Sequence, residues 1–297
     1  MSKDKANSAV FVVLVAGLFW SFGPLVVRNI DNAELIPWQY LFFRGSVIFL
    51  VLIIYLFLAE GQKFINNYSR IGLSGLIGGA SLGIGNITFI LSITTTTAAV
   101  TMMMLAAMPF MAAILAYVFL KEKISTTTLI AIIIAAAGII FMSFDSIGEG
   151  TLFGLINGLI SSAAFAGFTV SLRWRKKVPK LTTVSLGGII AAFASLIVLF
   201  FYDSDILISF KNTSLSALHG FLVCSALILY SSNAKYLPAA DLTLLSLTEV
   251  LGGIFWVWLP FLGINETPST NTLIGGMIII IAIIFYGFNA RRYRFRY

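Results

Sequence analysis

The chain has 297 residues, 59% of them hydrophobic and only 10% charged, against roughly 25% charged in a typical soluble domain. That composition leaves too few charges to clothe a soluble fold of this size. The single cysteine, Cys224, excludes an internal disulfide and any multi-Cys metal site, and the single histidine, His219, leaves no His cluster for zinc.

Spanning a bilayer takes about 20 consecutive apolar residues, and such runs recur from Val10 to Ala290. Ten spans are predicted, over 9–28, 36–58, 70–92, 95–119, 126–144, 150–171, 181–202, 214–233, 239–262 and 270–290. Lys3 and Lys5 before the first run resemble a signal peptide, but the run continues through Trp20 and Gly23-Pro24 without a small-x-small cleavage site. It reads as a retained helix. Backbone groups in lipid must be satisfied within their own segment, so helices are the expected solution. The alternating ten-residue segments of a membrane barrel are absent from the sequence.

Charge sets the expected orientation. With the N-terminus in the cytoplasm, sixteen of the nineteen basic residues fall on the inner side, among them Lys63, Lys121, Lys123, Arg173, Arg175 and Lys235. Arg28 and Lys211 fall outside, and Arg44 lies within the second span. Asp31, Glu34, Asp145, Glu149, Asp203, Asp205 and Glu266 gather on the outer side. A wrong helix count would scramble this alternation, so ten spans with both termini cytoplasmic satisfy the positive-inside rule. The Arg173–Lys180 cluster and the Arg291–Tyr297 tail are expected to touch anionic headgroups, and Arg28 to snorkel from its helix end.

An internal repeat appears at an offset of about 144 residues. Leu120-Lys-Glu-Lys-Ile-Ser125 aligns with Ile264-Asn-Glu-Thr-Pro-Ser269, and Thr128-Leu129 with Thr272-Leu273. Five helices per half is an odd number, so the halves, 1–146 and 147–297, enter the membrane with opposite orientation. The predicted fold class is therefore an all-α integral membrane protein of ten transmembrane helices in two inverted five-helix repeats. In such architectures the substrate site lies near the midplane, where the repeats meet.

Several short motifs accompany this plan: Phe19-Trp-Ser-Phe-Gly-Pro24, Phe42-Phe-Arg-Gly45, the stretch from Thr97 through Met108-Pro109 to Leu120-Lys-Glu-Lys123, and its echo from Leu247-Thr-Glu-Val250 to Asn265-Glu266. With them the chain resembles the ten-helix, EamA-type branch of the drug/metabolite transporter superfamily over essentially its whole length. One departure is Gly252-Gly253, which stands where the first half has Met108-Pro109. The ninth span lacks that proline and is expected to bend at the glycines.

Glu249 is the leading site candidate. It lies about ten residues into the ninth span, roughly 15 Å deep at about 1.5 Å per residue, where an ionisable group is costly and by default functional. Its charged form is disfavoured there unless a cation pairs with it. It could receive a substrate ammonium or a proton, or instead form a packing pair with an arginine. Leu245, Glu249, Gly252 and Trp256 share a helical stripe, and the repeat sets Leu105 opposite Glu249. Arg44 could bind a carboxylate bidentately or bond helix-end carbonyls; the resemblance implies an arginine there whatever the substrate, and often an acidic residue at Glu249. Thr101, Met104, Met108 and Ala112 form the matching face of the fourth span. Methionines there adapt to varied apolar ligands or fill a core. Trp20 and Trp256 could stack on a ring or hold a cation. Asn86, Ser161, Tyr230 and Asn233 are polar groups at depth, open to ligand contact or to interhelical bonding. Gly75, Gly79 and Gly83 let the third span pack closely on a neighbour.

The reading is a secondary transporter of small metabolites in the cell (inner) membrane, with no cofactor and no nucleic-acid partner. Membrane lipids surround it, protons are the candidate coupling ion, and it is a monomer or homodimer. The resemblance implies amino acids or related compounds, often exported. The alternative is efflux of drugs or quaternary and other organic cations. An intramembrane enzyme would need a paired nucleophile and base at depth, and Asp241 and Glu249 stand eight residues apart without one.

Overall fold

The computed structural model describes residues 3–146, 152–175, 178–264, 267 and 270–293. Every regular element among them is helical. The chain runs through α1 (Lys3–Arg28), α2 (Pro37–Glu60), the short α3 (Ile65–Ser69), α4 (Gly72–Thr95), α5 (Ala98–Leu105), α6 (Met108–Leu115) and α7 (Thr126–Ser146). It continues through α8 (Leu152–Trp174), α9 (Lys180–Phe201), α10 (Phe210–Asn233), α11 (Ala239–Leu245), α12 (Thr248–Trp258) and α13 (Thr270–Tyr293). Eight helical stretches among the described residues are long and apolar enough to cross a membrane, and two shorter apolar helices, Thr126–Phe141 and Leu273–Tyr286, bring the set to ten. Their outer faces carry residues such as Phe57, Leu58, Phe153 and Phe193, all exposed, as lipid contact requires. The expected loop over 59–69 is instead a 3-10 turn (Gly61–Phe64) followed by α3.

The fourth and ninth spans are each broken in two. In the fourth, Pro109 stands at the start of α6 without an N–H, and bonds of three-residue reach, Ala107 N–H to Met104 O (3.2 Å) and Phe110 N–H to Ala107 O (3.1 Å), replace the regular ladder. In the ninth, the break falls at Ser246–Leu247 and not at Gly252-Gly253, through which α12 runs unbroken. Hydroxyls cause it: Ser246 Oγ donates to Thr243 O (2.8 Å) and Thr248 Oγ1 to Leu245 O (3.1 Å). Such back-bonding competes with the helix ladder. The breaks at 106 and 246 are 140 positions apart, four short of the offset taken from the Glu122 loop. The stripe-mate of Glu249 across the repeat is therefore not Leu105: Pro109 and Glu249 each stand second in the piece after the break.

The helix pairings are unchanged when the halves are exchanged. α4 packs on α8 as α10 packs on α1; α4 on α9 as α10 on α2; α5 and α6 on α8 as α11 and α12 on α1. α2 with α9 and α7 with α13 are their own counterparts, and α5 meets α12 while α6 meets α11, as expected for antiparallel copies of one broken helix. The glycines of α4 sit in tight contacts. A Cβ on Gly79 would lie 2.7 Å from Leu186 Cδ2, and one on Gly83 2.6 Å from Ile190 Cγ2, both of α9. The close-packing role expected of Gly75, Gly79 and Gly83 is met there.

The repeat extends to hydrogen bonds. Arg28, at the end of α1, donates to Ile93 O (3.1 Å) and Thr96 O (2.8 Å) beyond the end of α4. Arg173, at the end of α8, donates to Ala234 O (2.7 Å) and Leu237 O beyond the end of α10. Each guanidinium caps carbonyls that a helix end leaves without partners. Neither arginine is simply reaching for water or headgroups, which corrects the snorkelling expected of Arg28 and the headgroup role expected of Arg173. Lys176, Lys177, Glu149 and Glu266 lie outside the described residues.

Candidate functional site

A cavity lies where the halves meet, bordered by α1, α2, α4, α6, α8, α10 and the break between α11 and α12. Of the eight candidates, Glu249, Arg44, Trp20, Met108 and Tyr230 line it. Arg44 is buried (2% exposed) and reaches the cavity from α2. Its guanidinium carbon lies 6.0 Å from the Phe89 ring centroid, and its Nε has no hydrogen-bond partner among the described residues. Among the described residues neither Arg44 nor Glu249 is in an ion pair. A charge at depth in a span costs about 3 kcal/mol on insertion scales. Two such charges left apart represent a large fraction of a total stability of about 5–15 kcal/mol. A pair kept only for packing would be expected to close, so the packing-pair reading of Glu249 has no contact behind it.

The walls are aromatic. Trp20 and Tyr230 meet with ring centroids 5.2 Å apart, and the Tyr230 hydroxyl is 2.8 Å from Thr169 Oγ1. Phe165 and Phe168 of α8 complete that side. The volume of about 30 Å³ holds on the order of two waters. That volume is too small for a metabolite, which enters only if helices part.

Three candidates fall elsewhere. Trp256 stacks on Phe22 (4.7 Å between centroids) and donates Nε1–H to Ser21 Oγ (2.9 Å), bordering an outward apolar groove between α1, α12 and α13. It stands seven residues beyond Glu249 on the same helix, α12, about two turns and roughly 10 Å further along the axis, so it lies beyond the cavity; the break parts only Leu245 from the predicted stripe. Met104 precedes the break in the fourth span and packs on Gly158, where a Cβ would lie 2.8 Å from Met104 Cβ. Asn86 is buried (1% exposed), and neither amide atom has a hydrogen-bond partner among the described residues. It sits one turn from the cavity-lining Phe89 without lining the cavity itself.

His219 is the residue that sequence reasoning passed over. It is buried in α10, hydrogen-bonded through Nδ1 to the Tyr40 hydroxyl, and lines the cavity beside Arg44. Gly23 makes room for it: a Cβ there would lie 2.9 Å from His219 Nε2, a physical reason for glycine in the Gly23-Pro24 motif. The signal was available, because a lone ionisable group at membrane depth carries the same implication as Glu249. It was read only as the absence of a cluster.

Residues 7–144 match the EamA-like transporter family. No curated protein matches the sequence. A solved structure described as "Crystal structure of protein" aligns with 98% of this chain and 99% of its own, with a TM-score of 0.72 at 15% identity. At that identity the likeness speaks for the fold alone. With ten apolar helices and a central cavity, the chain is similar over its first half, residues 7–144, to the EamA-like transporter family, whose members are membrane transporters of small molecules.

Proposed function

We propose that the chain moves amino acids or related small zwitterions across the cytoplasmic membrane by alternating access, with protons as the coupling ion. The observation that carries this reading is a pair of opposite charges, Arg44 and Glu249, on one aromatic-walled cavity and not bonded to each other. An amino acid offers a carboxylate, which a guanidinium fork grips bidentately, and an ammonium, which suits a carboxylate flanked by Trp20 and Tyr230. The aromatic and aliphatic walls leave place for an apolar side chain. In this reading residues 147–297 form a second EamA-type repeat, and rocking of one repeat against the other opens the site to each side in turn. The alternative, efflux of organic cations, draws on the same Trp20–Tyr230 wall beside Glu249, but it leaves Arg44 without a role and with a charge to repel.

The test is a thermal-shift series on purified protein with an apolar amino acid, its amine lacking the carboxylate, its acid lacking the amine, and a quaternary ammonium compound. Stabilisation by the amino acid alone supports the zwitterion reading. Equal stabilisation by the amine or the quaternary compound transfers the function to cation efflux.

Orientation has its own test. In a Cys224→Ser background, Asp205→Cys is expected to react with an impermeant thiol reagent in intact cells and Lys123→Cys only after permeabilisation. Reversed labelling would invert the topology, and labelling of both would mean a different helix count.

A further inference from the structure

We propose that Glu122 is a positioning residue of the transport cycle: its carboxylate latches the two halves at the basic end of the bundle, and releasing it lets α11 swing and opens the cavity to that side. The inference rests on the alternating-access reading but not on any particular substrate.

Arg173 and its counterpart Arg28 each tie helix ends within their own half. Glu122 does something different. It follows the fourth span, in the first half, yet both of its oxygens are bound by the second. Oε1 accepts from Arg173 Nε at 2.8 Å, and Oε2 accepts from the Ala239 N–H at 3.1 Å. Ala239 is the first residue of α11, so the carboxylate satisfies a free helix-start N–H and meets the positive end of the helix dipole. The side chains of Arg173 and Glu122 are 17% and 23% exposed. The contact is therefore wet enough to open without burying a lone charge, unlike a fully enclosed pair.

Mechanical coupling follows from the break at Ser246–Leu247. α11 is a buried seven-residue rod, held to the first half at its start by Glu122 and at Asp241, which accepts from Thr128 Oγ1 at 2.7 Å, and jointed at its end one turn before Glu249. Ser246, at the joint, lines the cavity with Glu249. Letting go of the start of α11 frees the rod to turn about the joint while α12, with Glu249, stays packed on α1. The motion opens the wall next to the site and not the bundle as a whole.

The experiment uses the full chain with Cys224→Ser and Ser246→Cys as a cavity reporter, in membrane vesicles of both orientations, with an impermeant thiol reagent. Lys123→Cys and Asp205→Cys mark the two sides. Glu122→Gln is expected to speed labelling of the reporter at least fivefold from the Lys123 side and to slow it from the Asp205 side, because populations shift from one open state to the other. A merely structural Glu122 would loosen the protein generally, so faster labelling from both sides would overturn the proposal. So would unchanged labelling in a variant with an unchanged melting temperature. If Glu122→Gln fails to insert, Glu122→Asp keeps the charge with a shorter reach to Ala239, and the same one-sided acceleration, smaller in size, is required of it.

Discussion

Glu249→Gln is expected to insert and fold, with a melting temperature equal to or above that of the wild type, and to lose transport driven by a pH gradient. The substitution keeps size and hydrogen bonding and removes only the charge. No ion pair is broken by it, because Glu249 has none among the described residues, and a charge at depth is a cost to folding. What disappears, under the proposed function, is the group that would alternate between a proton and a substrate ammonium. A charge-assisted contact contributes about 1.5–3 kcal/mol, so affinity for amine-bearing ligands should fall roughly 10- to 150-fold at about 1.4 kcal/mol per decade. Uptake into proteoliposomes with and without a pH gradient measures both effects. Unchanged rates, affinity and pH response would leave Glu249 a packing residue. A variant that fails to insert would restore the structural role and point to Arg44 as the partner to examine.

Arg44→Lys is the second large effect. Lysine keeps the positive charge but loses the planar fork that matches a carboxylate. Affinity for the amino acid is expected to fall by roughly tenfold or more, on the scale of one charged hydrogen bond. Affinity for the corresponding amine should hold or improve. The discrimination between the two ligands, read by competition binding, is the decisive quantity. A helix-pinning arginine would lower melting temperature and affect both ligands alike. Among the described residues Arg44 makes no helix-end carbonyl contact of the kind that Arg28 and Arg173 make, which is why the selective outcome is expected. His219 and Tyr40 hold the wall beside it, so their substitution should alter the same discrimination less steeply.

The three arginines show where sequence reasoning stops. All three occupy apolar stretches near a helix end or inside a span, and the sequence offers no means of telling a carbonyl cap from a ligand-binding group. Arg28 and Arg173 became caps because α4 and α10 end beside them, a matter of which helices are neighbours. Arg44 was left for the cavity because α2 meets α9 and α10 there without presenting a free helix end.

Sequence alone determined the class, the number of spans and the repeat, since each depends on local quantities: the length of apolar runs, the alternation of loop charge and the positions of short motifs. It also singled out Glu249 and Arg44, which line one cavity, because a charge in hydrocarbon is anomalous wherever its neighbours lie. Only the tertiary structure decided which candidates share a site. Helix breaks reset the angular phase of every residue beyond them, so stripes drawn through Leu245–Trp256 and Thr101–Ala112 on an unbroken helix joined residues that face different ways. The break in the ninth span came from hydroxyls bonding backward at Ser246 and Thr248, not from the conspicuous glycines. Met104 left the site because of the break in the fourth span, and Met108, after that break, stayed; Trp256 left because it stands about two turns beyond Glu249 along α12. His219 entered because α10 carries it between α1 and α2 opposite Gly23, a juxtaposition of residues about 200 positions apart that no local pattern encodes.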